Sequence, residues 1–377
     1  MKVIGLITEY NPFHNGHKYQ IDQIKKMYPE SIIICVTSSS FTQRGEISIL
    51  DKWTKTNISL KAGIDLVIEL PFVFSTESAD TFAYASVYLL NELKIDTLVF
   101  GSESDNVSMF KELASYQINN NEFDIKVKEL LDKGYNYPTA LSKALESKFN
   151  TLIVNPNDLL AVSYSKAVLM INKDIELVSI KRTNDYHDID SNDTVVSASN
   201  IRNKMINNED IKKYVPSYSY EYLKNIKIDT SKMFDLLKYK INTEKDLSIY
   251  QTVDEGIENR LIKYINCSNN YEEFVENIKT KRYTYNKINR MLIHILVGFT
   301  KKDKELYKKP NYIRVLGMNN IGKEYLSKIK KEINLPLISK FDKDLLDFEY
   351  KVSVIYSMLV NNPSLIEQEY KNKIQGI

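Results

Sequence analysis

Apolar residues fall along this chain in short, nearly continuous runs, and between the runs they recur at helical spacing. The runs Lys2–Thr8, Ser31–Thr37, Asp65–Leu70, Thr97–Phe100 and Glu176–Ile180 are rich in Val, Ile and Leu. That composition suits strands buried on both faces. Helix-like segments separate them at His17–Met27, Lys52–Gly63, Ser78–Leu93 and Leu159–Ile171. Strands alternating with helices predict an α/β fold built on a parallel sheet with right-handed crossovers. The stretch Glu103–Pro156 breaks this rhythm and reads as a helical insertion spanning residues 104–155.

Beyond Arg202 the pattern turns helical. Ile288, Met291, Leu292, Ile295 and Leu296 share one helix face, as do Phe274, Val275 and Ile278. Pro216 lies in a Tyr- and Ser-rich stretch, Tyr214–Tyr220, that reads as a linker. The expected organisation is an α/β domain over residues 1–210 and a mostly helical domain over 211–377, with one short strand, Tyr312–Leu316, inside the second.

With 377 residues, 43% of them hydrophobic, the chain has material for two packed cores. No apolar run approaches the ~20 residues of a membrane span. The opening MKVIGLITEY lacks the apolar stretch and cleavage site of a secretory leader. Two cysteines, Cys35 and Cys267, make neither a disulfide framework nor a zinc cage, so a reduced cytoplasm is expected. Charge divides the chain. Residues 1–200 carry 19 basic and 26 acidic side chains, whereas residues 201–377 carry 32 and 23. The second half is therefore suited to an anionic partner, the alternative being a solvated Lys-rich surface.

The first loop holds the chemistry. The first strand ends near Thr8 and Glu9, and Tyr10, Asn11, Pro12, Phe13, His14, Asn15, Gly16 and His17 lead into a helix. Ligands of α/β sheets bind at the carboxyl ends of strands. A helix start there offers free N–H groups and a positive dipole end to a phosphate. Gly16 permits close backbone approach. His14 and His17 are two of only four histidines. They can donate to phosphate oxygens and stabilise charge developing at phosphorus. The Walker phosphate loop and the GxGxxG fingerprint are both absent.

The loop GLITEYNPFHNGH (Gly5–His17) resembles the opening signature of the HxGH nucleotidyltransferase superfamily, and VSASNIR (Val196–Arg202) resembles its second, a Ser/Thr-rich helix start ending in Arg. A closer resemblance, to the bacterial tRNA(Met) cytidine acetate ligases, rests on further stretches. These are FTQRGEISILDKWTKT (Phe41–Thr56), GIDLVIELP (Gly63–Pro71), LVFGSES (Leu98–Ser104), NPNDLLAVSY (Asn155–Tyr164), SIKRTNDYHD (Ser179–Asp188) and YIRVLGMNNIG (Tyr312–Gly322). Asn200 stands where the family has a hydroxyl residue, and Ala161–Ser163 also depart from its pattern.

The resemblance implies a Rossmann-like nucleotidyltransferase domain that uses ATP to activate acetate as acetyl-adenylate. The 4-amino group of the wobble cytidine of elongator tRNA(Met) is then acetylated. The implied ATP loop runs from Ile7 through Thr8, Glu9, Tyr10, Asn11, Pro12, Phe13, His14, Asn15, Gly16, His17, Lys18 and Tyr19 to Gln20, with His14 and His17 catalytic. Gly101 and Asn157 would adjoin the nucleotide, Arg182 would reach phosphate or base, and Ser199 and Arg202 would serve the β- and γ-phosphates. Mg²⁺ would travel on those phosphates.

Each position has a structural alternative. Gly101 can end a strand, Asn157 can cap a helix, and Arg182 can pair with Asp185 or Asp188. Gln43 and Arg44 can hold acetate or tRNA, or shape a turn. His187 and His294 read as structural, and Lys52, Trp53 and Lys55 as helix start and core. Lys279, Lys281, Arg282, Lys287 and Arg290 form a basic cluster for the tRNA, with Tyr283 and Tyr285 placed to stack on bases. The competing function is an adenylyltransferase moving AMP onto a small phosphate-bearing acceptor.

Overall fold

The structure, a computed structural model, describes residues 1–118, 120–149, 155–182, 194–371 and 374–376. Its centre is a seven-stranded sheet: β1 (Val3–Thr8), β2 (Ile32–Ser38), β3 (Leu66–Leu70), β4 (Thr97–Ser102), β5 (Glu176–Lys181), β6 (Ile313–Met318) and β7 (Leu337–Ile338). The spatial order is β5-β4-β1-β2-β3-β6-β7. Strands β1 to β5 run parallel to their neighbours, in the Rossmann-like arrangement expected of the apolar runs.

Side-chain alternation along the strands feeds two cores. Ile4, Leu6, Ile33, Cys35 and Val67 face one side, against Ile21, Ile24, Ile58, Leu60 and Ile201 of the helices Asn15–Met27, Lys52–Ala62 and Ala198–Ile206. Val3, Ile32, Ile34, Val36, Leu66 and Ile68 face the other, against Phe82, Val87, Leu90, Ala161 and Val168 of the helices Ala79–Glu92 and Pro156–Ile171. A period of two, buried on both faces, produces the unbroken apolar runs. Residues 107–149 supply three helices, Val107–Ile118, Asn121–Asp132 and Tyr137–Phe149.

The strand expected inside a second domain lies elsewhere. β6 pairs antiparallel with β3, and β7 joins β6 in parallel, so residues past 310 extend the N-terminal sheet. An edge at β3 would leave a row of N–H and C=O groups unpaired, and β6 covers it. A buried charge network fastens this return. Lys52 Nζ lies 2.9 Å from Glu69 and 2.7 Å from Glu369, while Arg314 meets the same two carboxylates at 2.9 and 2.6 Å. Lys52 therefore starts its helix, as expected, and also closes this network.

The stretch Tyr214–Tyr220, expected as a linker, is also packed structure. Its helix Ser217–Leu223 lies against the first loop, and Ser219 Oγ donates to the Phe13 carbonyl at 3.2 Å.

Candidate active site

β1 and β4 are neighbours whose following connections leave on opposite faces of the sheet, the arrangement that opens a crevice at their carboxyl ends. A cavity of about 200 Å³ lies there. Ile7, Thr8, Glu9, Tyr10, Asn11, His14, His17 and Gln20 line it from the first loop and helix. Gly101, Asn157, Arg182, Ser199 and Arg202 line it from four other segments. Gly16 and Tyr19 line a smaller cavity of about 50 Å³ that shares both histidines, Gly101 and Arg182.

The remaining loop residues serve the scaffold. Phe13 is buried against Tyr10, His17 and Tyr218. Pro12 follows a cis peptide bond. Asn15 donates to the carbonyls of Thr194 and Lys213, both at 2.9 Å. Lys18 pairs with Asp22 on the outer face of its helix.

The histidine pair is set by helix capping. The helix starts at Asn15, two residues before the apolar pattern begins, because His14 acts as its N-cap. His14 Nδ1 accepts the Gly16 N–H at 3.0 Å, and His17 Nδ1 accepts the His14 N–H at 3.3 Å. A neutral imidazole that accepts at Nδ1 carries its proton on Nε2. Each ring thus keeps one N–H donor for a ligand. The rings stack with centroids 3.8 Å apart. Burial, with the Arg182 charge nearby, lowers the His14 pKa to about 3. Burial, then His14 and Arg182, holds His17 well below the ordinary imidazole range. Both rings are therefore neutral donors at pH 7. A Cβ on Gly16 would stand 2.8 Å from His14 Cε1, so only glycine leaves that ring in place.

Arg202 ties the second signature to the first. Its guanidinium donates to the Asn11 carbonyl at 2.9 Å, Glu46 at 2.8 Å and Ser199 Oγ at 3.2 Å. Ser197 caps the helix, accepting the Asn200 N–H at 3.2 Å, so this nine-residue helix aims its N-terminus at the same cavity.

Asn157 sits in the second position of its helix and is not the cap; its amide donates to Glu103 Oε1 at 2.5 Å. Arg182 Nε lies 3.7 Å from that carboxylate. Asp185, Asp188 and His187 are outside the described residues. A Cβ on Gly101 would meet only ordinary contacts at 3.6 Å or more, so the protein itself does not require a glycine there.

The floor between β1 and β2 is held by Lys55. Its Nζ donates to the carbonyls of Glu9, Ser38 and Ser39 at 3.2, 2.6 and 2.8 Å, and burial lowers its pKa to about 8. The Gln43 N–H donates to Glu9 Oε1 at 2.6 Å, and burial raises the Glu9 pKa. Gly45, at φ +75°, presses so close to the Tyr285–Val297 helix that a Cβ would lie 2.3 Å from Arg290 N. Gln43 and Arg44 both line the cavity.

Sequence reasoning passed over Glu46 and Glu103, the carboxylates that hold Arg202 and Asn157. It also passed over Phe82, Phe100, Leu160 and Tyr164, which form an apolar wall. The position of Glu46 directly after β2, at the carboxyl edge of the sheet, was the available signal.

The basic cluster is not uniform. Lys281 and Arg282 are exposed, with Arg282 3.5 Å from Glu255. Lys279 and Lys287 lie over the rings of Tyr285 and Tyr283. Two expectations need correcting. Arg290 turns inward and donates to the Gln43 carbonyl at 3.1 Å. Tyr283 is buried with its hydroxyl on the Asp254 carbonyl at 2.6 Å, because its ring fills the core beneath the cluster. His294 is a core residue, its nitrogens against the carbonyls of Thr76 and Gln251 at 2.9 and 3.1 Å.

This crevice, with its capped histidine pair, is that of a nucleotidyl transferase: the HIGH Nucleotidyl Transferase family model matches residues 1–372, and the chain belongs to that family. The tRNA(Met) cytidine acetate ligase of Clostridium perfringens is 38% identical over 98% of both chains. That of Bacillus subtilis is 37% identical over 98% of this chain and 96% of its own. The chain is a member of the tRNA(Met) cytidine acetate ligase family. Thermotoga maritima TmcAL superposes over the full length of both chains with TM-scores of 0.92 without ligand and 0.89 bound with alpha-thio ATP, at 29% identity.

Proposed function

We propose that this chain is an ATP-dependent ligase that forms acetyl-adenylate and acetylates the 4-amino group of the wobble cytidine in elongator tRNA(Met). The observation that carries this reading is the convergence of two neutral Nε2–H donors, Arg182, Ser199 and Arg202 on one cavity at the β1–β4 crevice. No helix among the described residues is long and apolar enough to cross a membrane. The enzyme acts in the cytoplasm, where its tRNA is.

ATP lies with its phosphates between the helix starts at Asn15 and Ala198. An acetate oxygen attacks the α-phosphorus, the bond to the β-phosphate oxygen breaks, and pyrophosphate departs. The histidine N–H groups and helix N-termini meet the charge that builds on the α-phosphate. Arg202 exchanges Glu46 for the leaving phosphates. These contributions are positional and electrostatic. The cytidine amine then attacks the acetyl carbon, loses a proton, and AMP leaves. Among the described residues no group of three or more His, Cys, Asp or Glu could hold a metal ion. The residues do not fit a resident Mg²⁺, which enters as part of the Mg·ATP substrate.

The test is ATP–pyrophosphate exchange with and without acetate, followed by mass spectrometry of nucleosides from treated tRNA(Met). Acetate-dependent exchange with N(4)-acetylcytidine as product is expected. Exchange that needs a phosphate-bearing acceptor instead of acetate establishes the adenylyltransferase alternative.

A further inference from the structure

A second, larger groove of about 760 Å³ adjoins the nucleotide cavity, and Glu46 and Arg202 line both. The Arg202–Glu46 ion pair is therefore the partition between them. Beyond it the groove runs between the helix Ala198–Ile206, the segment 225–232 and the end of the helix Lys343–Leu359. Its volume falls in the range of small-ligand sites, roughly 300–1,000 Å³.

The lining has a particular chemistry. Asn203, Asn225 and Asn361 present exposed amides. Ile206, on the same helix face as Asn203, is 55% exposed. Lys227 and Lys232 are exposed, and among the described residues neither has a carboxylate within ion-pair distance. The acidic neighbours are engaged: Glu46 with Arg202, Asp51 with the N–H groups of Trp53 and Thr54, and Asp229 with the Ser231 N–H. Amides pair with the edges of an unstacked base, an apolar side chain covers its face, and lysines at the mouth neutralise phosphates. A protein partner would call for an apolar centre with few unpaired amides.

We propose that this groove takes the unpaired RNA nucleotide carrying the acceptor amine, together with its neighbour, and delivers the base to the activated acetyl group when Arg202 leaves Glu46 for the phosphates. The inference rests on the acetate-ligase reading and adds where the RNA enters, a place separate from the basic cluster at residues 279–290.

Two full-length variants test it: Ile206→Trp, which fills the groove, and the pair Lys227→Glu with Lys232→Glu at its mouth. Acetate-dependent ATP–pyrophosphate exchange without RNA should stay within about twofold of wild type in both. The KM for tRNA should rise at least tenfold, and the lysine pair should reduce the log–log salt slope of tRNA affinity by about 1. A tRNA(Met) transcript with 4-thiouridine beside the wobble position should cross-link to residues 225–232 or 361–362. Unchanged KM in both variants, or cross-links confined to residues 279–290, overturns the proposal and leaves the acetate-ligase reading standing. Absence of acetate-dependent exchange in the wild type overturns both. If Ile206→Trp does not fold, the lysine pair and the cross-link decide.

Discussion

Two polar clusters in this molecule use charge in opposite ways. In the network of Lys52, Glu69, Arg314 and Glu369, each side chain is at most 4% exposed and each charge meets two of the opposite sign. In the cavity, the polar groups are satisfied on one side only. His14 and His17 spend Nδ1 on the backbone and keep Nε2–H, and Arg202 holds a carboxylate that a phosphate can replace. The closed cluster holds the two ends of the chain in one sheet, and the open one awaits a polyanion. The difference predicts that substitutions in the first are read as lost stability and substitutions in the second as lost turnover.

The largest effect should come from the closed cluster. Arg314→Met strands Glu69 and Glu369 in the core, and breaking a buried pair from one side costs about 3–5 kcal/mol. Urea unfolding should show this loss. Replacing Arg314 and Glu369 together should cost less than the sum of the single changes. An additive result would mean that the four groups do not act as one unit.

Next is the open cluster. His17→Ala removes a donor aimed at developing charge and should lower ATP–pyrophosphate exchange by about 10²–10³-fold. Stability should fall only by about 1 kcal/mol, the scale of a lost cap interaction. A variant exchanging at the wild-type rate places the chemistry elsewhere. Gly16→Ala should act through His14. The added methyl meets a ring already stacked on His17. Exchange should drop by about 10–100-fold, since small misplacements of positioned groups carry that cost. The unfolding midpoint should hardly move.

The same contrast explains what the residues alone could disclose. The strands were legible to within two residues because burial on both faces leaves an unbroken apolar run. β6 was legible as a strand, but its antiparallel place beside β3 depends on a charge network joining Lys52 to Glu369, which no local pattern encodes. The helix start at Asn15 escaped notice because His14 is outside the usual Ser, Thr, Asp and Asn caps. Tyr283 read as a stacking surface because tyrosine suits water and core equally. The convergence of Gly101, Asn157, Arg182, Ser199 and Arg202 on one cavity was accessible only through family resemblance, as nothing in their spacing joins them. Glu46 and Glu103 had no motif, since a carboxylate that restrains a cation is recognisable only beside it.

The smallest effect concerns protons, and it separates the clusters by pH. The closed network already has its charges matched. His14 instead is neutral when folded, its pKa lowered to about 3, whereas an unfolded chain protonates histidine near pH 6.5. Between those values the unfolded state binds the extra proton, so acidification favours unfolding. Stability from this group is fully present above pH 6.5 and declines by about 1.4 kcal/mol per pH unit on the way down. From pH 6.5 to 5 the loss from His14 should be about 2 kcal/mol. Urea midpoints for wild type and His14→Asn across that interval give the comparison. The variant starts lower, having lost its cap, but it should be less sensitive to acid, so the two curves converge as pH falls. Parallel curves would show that His14 gains a proton in the folded state, and a cationic pair would then have to replace the neutral donors in the mechanism.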